Sequence, residues 1–271
     1  MQEIRNKVLT TIVSRITLSL FHLRYAEFVN KSESEVTGMN TQFTSESRVG
    51  DAVAVFPKAS DLFKANRIDF CCGGNKTIEE ATKDKSVSIN ELLFTLNSLY
   101  SQYTASENEQ NWNEASFSAI IDHIVHTHHS YLNEELPQLS PYVTKVFRVH
   151  GQHQSHLALV HSLYHHLKTE LEQHTIKEEV SIFPLIMEYE QNPTPENLAK
   201  ATAALDELES EHDQAGSIIK QLREITFDFT PPEGACRTYQ MVYKRLEELE
   251  SDLFQHVHLE NNILFKRLSA L

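Results

Sequence analysis

Turn-forming residues are scarce. Seven glycines and eight prolines stand among 271 residues, well under the about 12 % that an average chain carries. A propeller, a many-turned sandwich or a glycine-looped nucleotide fold would need more. Cysteine is scarcer still, with three in all, two of them adjacent. Neighbouring Cα atoms are about 3.8 Å apart, below the usual disulfide range. With no disulfide framework, the chain reads as one for a reducing, cytoplasmic compartment. Basic residues are outnumbered, 24 against 38 acidic, for a net charge of −14. Without a cluster of Lys and Arg, such a chain repels phosphate backbones, which argues against nucleic acid as a partner. No long uninterrupted apolar run is present either. Val8 to Leu23 is broken by Arg15, so it suits neither a membrane span nor a signal-peptide core, and no membrane partner is expected.

Histidine is what the chain has in excess, at 15 residues. Together with the acidic surplus, it suits the binding of cations. Hydrophobic residues make up 40 %, enough to bury a core, and the shortage of helix breakers makes the expected fold all-α.

The spacing divides the chain into a small helical N-terminal domain and an up-down-up-down four-helix bundle. Residues 1–46 match nothing that follows and are expected to be a mobile extension, with Met39 placed to serve as a start. Residues 47–104 read as the small domain. Val53, Val55, Leu62 and Phe63 belong to one helix ending near Asn66, Thr77 caps a second, and Ile89 to Tyr100 forms a third. Residues 105–113 are polar and read as a linker. Residues 114–271 carry four apolar stripes. These start at Ile120, Ile121 and Ile124; at Leu157, Val160, Leu163, Leu167 and Leu171; at Leu198, Ala201, Leu205 and Leu208; and at Leu246, Leu249, Leu253 and Val257. Breaks fall at Gly151, at Asn192-Pro193-Thr194-Pro195 and at Pro231-Pro232-Glu233-Gly234. Pro137 and Pro141 are expected to kink the first helix.

Two bundle segments share a pattern. His174 and Glu178 are followed by Ile182 and Phe183, as His256 and Glu260 are by Leu264 and Phe265. At i,i+4 an imidazole and a carboxylate share one helical face and can reach one metal centre. Partners emerge from counting. His129 precedes His212 by 83 residues and His174 precedes His256 by 82; His129 to His174 is 45 residues and His212 to His256 is 44. Residues level with each other in an antiparallel pair lie equally far from the turn, and the midpoints fall at Gly151 and Gly234, where glycine supplies a left-handed helix end. His129, His174, His212 and His256 therefore meet at one level, with Glu178 and Glu260 one turn away. Four imidazoles and two carboxylates without a thiolate suit a pair of first-row metals, iron foremost, sharing both carboxylates. On this phase Lys177 and Glu179 point off the metal face.

Other histidines carry weaker signals. His126 and His128 read as surface or supporting groups. His161 and His165 form an i,i+4 pair suited to zinc. His150 would lie about 31 Å from His129 on an unbroken helix, and only a sharp reversal at the prolines would return it to the site.

On these residues the third part resembles a hemerythrin-like domain. The segment Ile68-Asp69-Phe70-Cys71-Cys72-Gly73-Gly74 resembles the signature of the small domain of the repair-of-iron-centres family, di-iron proteins that restore iron–sulfur clusters damaged by nitric oxide or peroxide. Glu211-His212-Asp213-Gln214-Ala215-Gly216 and Leu259-Glu260-Asn261-Asn262-Ile263-Leu264-Phe265 are similar to it as well. The resemblance covers about residues 48–271, and Lys266 stands where the family often has proline. It implies two iron ions in an oxo-bridged centre held by His129, His174, Glu178, His212, His256 and Glu260. It also implies a cytoplasmic stress-response protein whose partners are damaged iron–sulfur proteins, with nitric oxide or oxygen species as small ligands. Association of two copies as a homodimer is compatible with this reading. Iron donation is the expected mode of repair. A nitric oxide or peroxide reductase, or a reversible oxygen or nitric oxide sensor or carrier, are the competing activities. Cys71 and Cys72 lie in a glycine-flanked turn before a helix, a setting that lowers a thiol pKa and exposes it. Their expected part is iron transfer or redox chemistry. Cys236 is expected simply to pack.

Overall fold

The computed structural model describes residues 42–103 and 111–271. Residues 1–41, including the extension up to Met39, and most of the expected linker lie outside the described residues. Phe43 lies within the expected extension, yet it is buried. Its amide donates to the Asn97 side chain, whose own amide returns a bond to the Phe43 carbonyl, each at 2.9 Å.

The small N-terminal part holds α1 (Val49–Val55), α2 (Ala59–Ala65), α3 (Ile78–Thr82) and α4 (Ile89–Gln102). The single helix expected over Val53 to Asn66 is thus two. Pro57 forces its predecessor out of the helical region, and Phe56 is extended at φ −135° and ψ 86°. Thr77 caps α3 through a reciprocal pair of bonds with Glu80, which is why so short a helix starts cleanly.

The bundle follows. Helix α5 spans residues 117–150 as Phe117–His123, a π-turn Ile124–His129 and Ser130–His150, running through Pro137 and Pro141. Helix α6 spans 157–191 as Leu157–Lys177, a π-turn Glu178–Ile182 and Phe183–Gln191. Helix α7 (Pro195–Thr202) precedes α8 (Leu205–Ile225). Helix α9 spans 237–269 as Arg237–His258, a π-turn Leu259–Phe265 and Lys266–Ser269. Around the bundle α5 packs on α6, α6 on α8, α8 on α9 and α9 on α5. The third stripe is split between α7 and α8, although Ala201, Leu205 and Leu208 are all buried. No proline or glycine marks that break.

The two turn glycines differ. Gly234 has φ +77°, the left-handed conformation. Gly151 is right-handed at φ −60°. What requires glycine there is space, because a Cβ would stand 2.5 Å from the Phe147 carbonyl oxygen.

The small part sits against the bundle. The Asn262 amide donates to the Phe70 and Cys71 carbonyls at 3.2 and 2.9 Å. Phe70 packs edge-on to Phe254 and His258. Lys266 pairs with Asp51 and Lys220 with Asp69. Backbone approaches Asn262 so closely at Gly50 and Gly74 that a Cβ at either would fall 2.3 or 2.2 Å from its Oδ1.

Candidate metal centre

Every π-turn of the bundle coincides with a candidate ligand position. The turn in α5 ends on His129, that in α6 begins on Glu178, and that in α9 contains Glu260. A π-turn inserts an extra residue and re-aims the side chains around it, which is why it recurs at functional sites. Apolar spacing carries no trace of this, and the sequence predicted uninterrupted α-helix.

The six side chains meet between the helices. His129 Nε2 is 3.1 Å from His256 Nε2 and 3.3 Å from Glu178 Oε2, while His256 Nε2 is 2.9 Å from Glu260 Oε1. On the other side His174 Nε2 is 2.8 Å from His212 Nε2 and 3.3 Å from Glu178 Oε2, and His212 Nε2 is 3.0 Å from Glu260 Oε2. Two donor groups result. His129 and His256 form one, His174 and His212 the other, and both groups include Glu178 and Glu260. His150 belongs to neither; it lies at the far end of α5 beside Cys236.

The donor set fits cations. Both oxygens of Glu178 and Oε2 of Glu260 are buried without a hydrogen-bond donor, a costly state for a carboxylate unless a positive charge compensates it. The paired imidazole nitrogens, 2.8 and 3.1 Å apart, have about the separation of two donors bound ~2.1 Å from one ion at right angles.

Electrostatics agree. Burial and the neighbouring Glu260 would raise Glu178, but His174 and His129 outweigh them and lower it. Burial likewise opposes ionisation of Glu260, yet His256 and His212 hold it well below the usual carboxylate range. Burial pulls His174 down, while Glu178, Glu260 and Glu211 push it up to about 9. Burial likewise opposes His129, which Glu178, Glu260 and Glu179 raise. His256 is lowered, since complete burial exceeds the pull of Glu260. A metal needs the bare nitrogens, so binding must displace protons from His174 and His129. Metal affinity is therefore expected to rise between pH 7 and pH 9. Competition with a chelator at the two pH values checks this, and a flat or falling affinity would contradict it.

Outer hydrogen bonds orient the imidazoles. Nδ1 of His129 meets Glu179 Oε1 at 2.8 Å, Nδ1 of His174 meets Glu211 Oε2 at 2.7 Å, and Nδ1 of His212 meets Asn261 Oδ1 at 2.7 Å. Glu211 is itself held by Lys177 at 2.8 Å. Glu179 and Lys177 thus do not point away from the site, contrary to the expectation for them: Lys177, three residues after His174 on regular helix, shares its face, and the π-turn beginning at Glu178 shifts the phase of Glu179. The signal was present in the repeat, since Glu179 and Asn261 each directly follow a His-x3-Glu carboxylate. The symmetry breaks at the fourth imidazole. His128, which precedes His129 as Glu211 precedes His212, stacks on His256 with rings 5.5 Å apart and bonds Asp252 at 2.9 Å, leaving Nδ1 of His256 without a partner.

The two sides also differ in access. His129 and His256 are fully enclosed, whereas a cavity of 220 Å³ reaches His174 and His212 past Lys177 and Glu211.

Cys71 and Cys72 stand next to α8 at the level of His212, outside the lining of that cavity. Cys72 Sγ is 3.3 Å from the His212 carbonyl oxygen, and the two sulfurs are 3.8 Å apart and unbonded. Asp69 joins them as a group able to converge on one ion. The expected exposed, low-pKa thiol is not found at Cys71. Burial, Cys72 and Asp69 all push its thiol well up, and the following helix starts seven residues on and has only five residues. Cys236 is exposed rather than packed, with its sulfur 3.3 Å from His150 Nε2. Alkylation near pH 8 is expected to modify Cys236 first and Cys71 last, as peptide mass mapping over time would show; early labelling of Cys71 would contradict its burial.

Comparison with known proteins places these features in context. The Hemerythrin HHE cation binding domain matches residues 120–268, and a Domain of Unknown function (DUF542) matches residues 45–100. The chain is 34 % identical over 227 residues to the Iron-sulfur cluster repair protein ScdA of Staphylococcus epidermidis, covering 83 % of this chain and 99 % of that one. It is 36 % identical over 225 residues to the Iron-sulfur cluster repair protein YtfE of Pectobacterium carotovorum subsp. carotovorum, covering 82 % and 96 %. It is 33 % identical over 224 residues to the Probable iron-sulfur cluster repair protein of Haemophilus influenzae, covering 83 % and 97 %. Among the described residues no helix is long and apolar enough to cross a membrane.

Proposed function

Because the chain belongs to the iron–sulfur cluster repair family built on a hemerythrin-like cation-binding domain, we propose that it restores damaged clusters by donating iron. The iron is cargo held by His129, His174, Glu178, His212, His256 and Glu260, as two oxo-bridged ions. The observation that carries this reading is the pair of buried carboxylates shared by two imidazole pairs, with carboxylate oxygens that no hydrogen-bond donor satisfies. Bridging carboxylates link the fates of the two ions, so removal of one leaves the other with a full carboxylate complement.

The unequal access sets the direction of release. The ion between His174 and His212 is the one that leaves, through the 220 Å³ cavity on that side. The ion between His129 and His256 stays, since both imidazoles are fully enclosed. Cys71 and Cys72, with Asp69, lie one helical layer from His212 and offer soft donors to iron in transit. Damaged iron–sulfur proteins in the cytoplasm are the clients, and nitric oxide and oxygen species are the agents of the damage.

The test is a reconstitution assay with an iron–sulfur enzyme inactivated by nitric oxide. Iron-loaded protein should restore its activity while losing iron. The Cys71→Ser/Cys72→Ser double variant should keep its iron spectrum yet restore little. Equal repair by a Glu178→Ala/Glu260→Ala variant, which lacks the cargo site, would refute donation from this centre.

A further inference from the structure

Six of the fifteen histidines lie within residues 150–166, at the end of the bundle far from the metal centre. None of them takes part in that centre. Their surroundings differ. His156 Nε2 is hydrogen-bonded to the Tyr239 and Tyr243 hydroxyls at 3.2 and 2.9 Å, and His150 lies beside Cys236. His166 faces Glu170 on the surface. His161 and His165 behave otherwise. Their rings stand 4.4 Å apart on one face of α6, and both Nε2 atoms lie 3.2 Å from the same atom, Thr144 Oγ1 on α5.

A hydroxyl carries one proton, so Thr144 can donate to one ring and accept from the other. Both nitrogens are therefore aimed at one point between α5 and α6. We propose that His161 and His165, with Thr144 Oγ1 beside them, form a second metal site that takes one borderline divalent cation of the zinc, nickel and copper class.

The class follows from the donors. Two neutral imidazoles without a carboxylate or thiolate suit zinc, nickel and copper, and the stability order for first-row metals places iron(II) below all three. Burial lowers both imidazoles, aided by Arg148 at His161 and by His161 and Lys168 at His165, so the rings are neutral and able to coordinate at pH 7. The same two cations disfavour magnesium and calcium, which are held by charge and oxygen donors that this pair does not offer. From His165 to His174 is nine residues of continuous helix, about 14 Å, so the pair cannot share an ion with the metal centre. Iron and the second cation would thus be sorted by donor chemistry at two levels of α6, the pair near its start and the centre at its middle.

Protein as purified, with its iron content measured beforehand, is titrated with zinc and the bound metal counted. Wild type is expected to take one more zinc per chain than a His161→Gln/His165→Gln variant. Zinc entering the six-ligand centre is common to both proteins and cancels in the difference. A His153→Ala/His166→Ala variant should retain the extra zinc. The glutamines preserve size and polarity at two half-buried positions, and unchanged iron content and circular dichroism certify the fold. Equal zinc uptake by wild type and the Gln variant would overturn the site. Loss of the zinc in the His153/His166 variant instead would overturn it equally, by showing a diffuse collection of surface imidazoles.

Discussion

Replacing Glu260 by Ala is expected to empty the metal centre rather than merely weaken it. Glu260 belongs to both donor groups, with Oε1 2.9 Å from His256 Nε2 and Oε2 3.0 Å from His212 Nε2. Its loss takes a negatively charged donor from each ion at once and leaves two cations close together with half their carboxylate compensation. Glu178→Ala should act alike, because Glu178 stands 3.3 Å from both His129 and His174. Glu179→Ala should be milder. It removes only the acceptor that orients His129, a change of the kind that costs about 10–100-fold in metal affinity. Val180, 72 % exposed, gives the neutral control as Val180→Ser. Iron per chain, measured on anaerobically loaded protein, should follow that order. A Val180→Ser variant as depleted as Glu260→Ala would show that the losses report unfolding instead.

The largest expected loss of stability lies elsewhere in the bundle, at Arg223→Met. Arg223 on α8 grips Glu250 of α9 through two parallel bonds and also holds Asp228 at 3.1 Å. Glu250 is fully buried, and among the described residues its only other partner of opposite charge is Lys64, 3.5 Å away. Removing the guanidinium leaves a buried carboxylate without adequate compensation, which costs about 3–5 kcal/mol. That is a large share of the roughly 5–15 kcal/mol that holds an average protein folded. A companion Glu250→Met substitution in the same chain should recover much of the loss, because the unpaired charge rather than the missing contact carries it. Urea unfolding of the single and double variants reads both terms. If the double variant is less stable than the single, the pair is worth more than its desolvation and the explanation fails.

How much of this was legible in advance differs from feature to feature. The four bundle helices followed from apolar spacing and from the scarcity of breakers. The six candidate ligands followed from a repeat, since two His-x3-Glu motifs at matching distances from two earlier histidines leave little freedom in an antiparallel bundle. The resemblance carried by Cys71-Cys72 and its glycines agreed with the family found by comparison. The π-turns escaped notice because an added residue changes backbone hydrogen bonding without changing which residues are apolar. Glu179 was misassigned for that reason, being judged on an ideal helical phase that the turn at Glu178 breaks.

Cys71 shows the other limit. Its turn and glycines are visible in the chain, but its burial comes with a helix nearly two hundred residues away, whose Asn262 bonds its carbonyl and whose Phe254 and His258 pack on the neighbouring Phe70. The docking of the small part against the bundle is a long-range event with no local pattern to announce it. By itself the sequence determined periodicity, donor types and the spacing that sets them level, because these are properties of residues close along the chain. Only the tertiary structure decided which imidazole lacks an orienting partner, which side of the centre is open and how deeply the thiols lie, because burial and electrostatic environment are created by residues that meet only once the chain has folded.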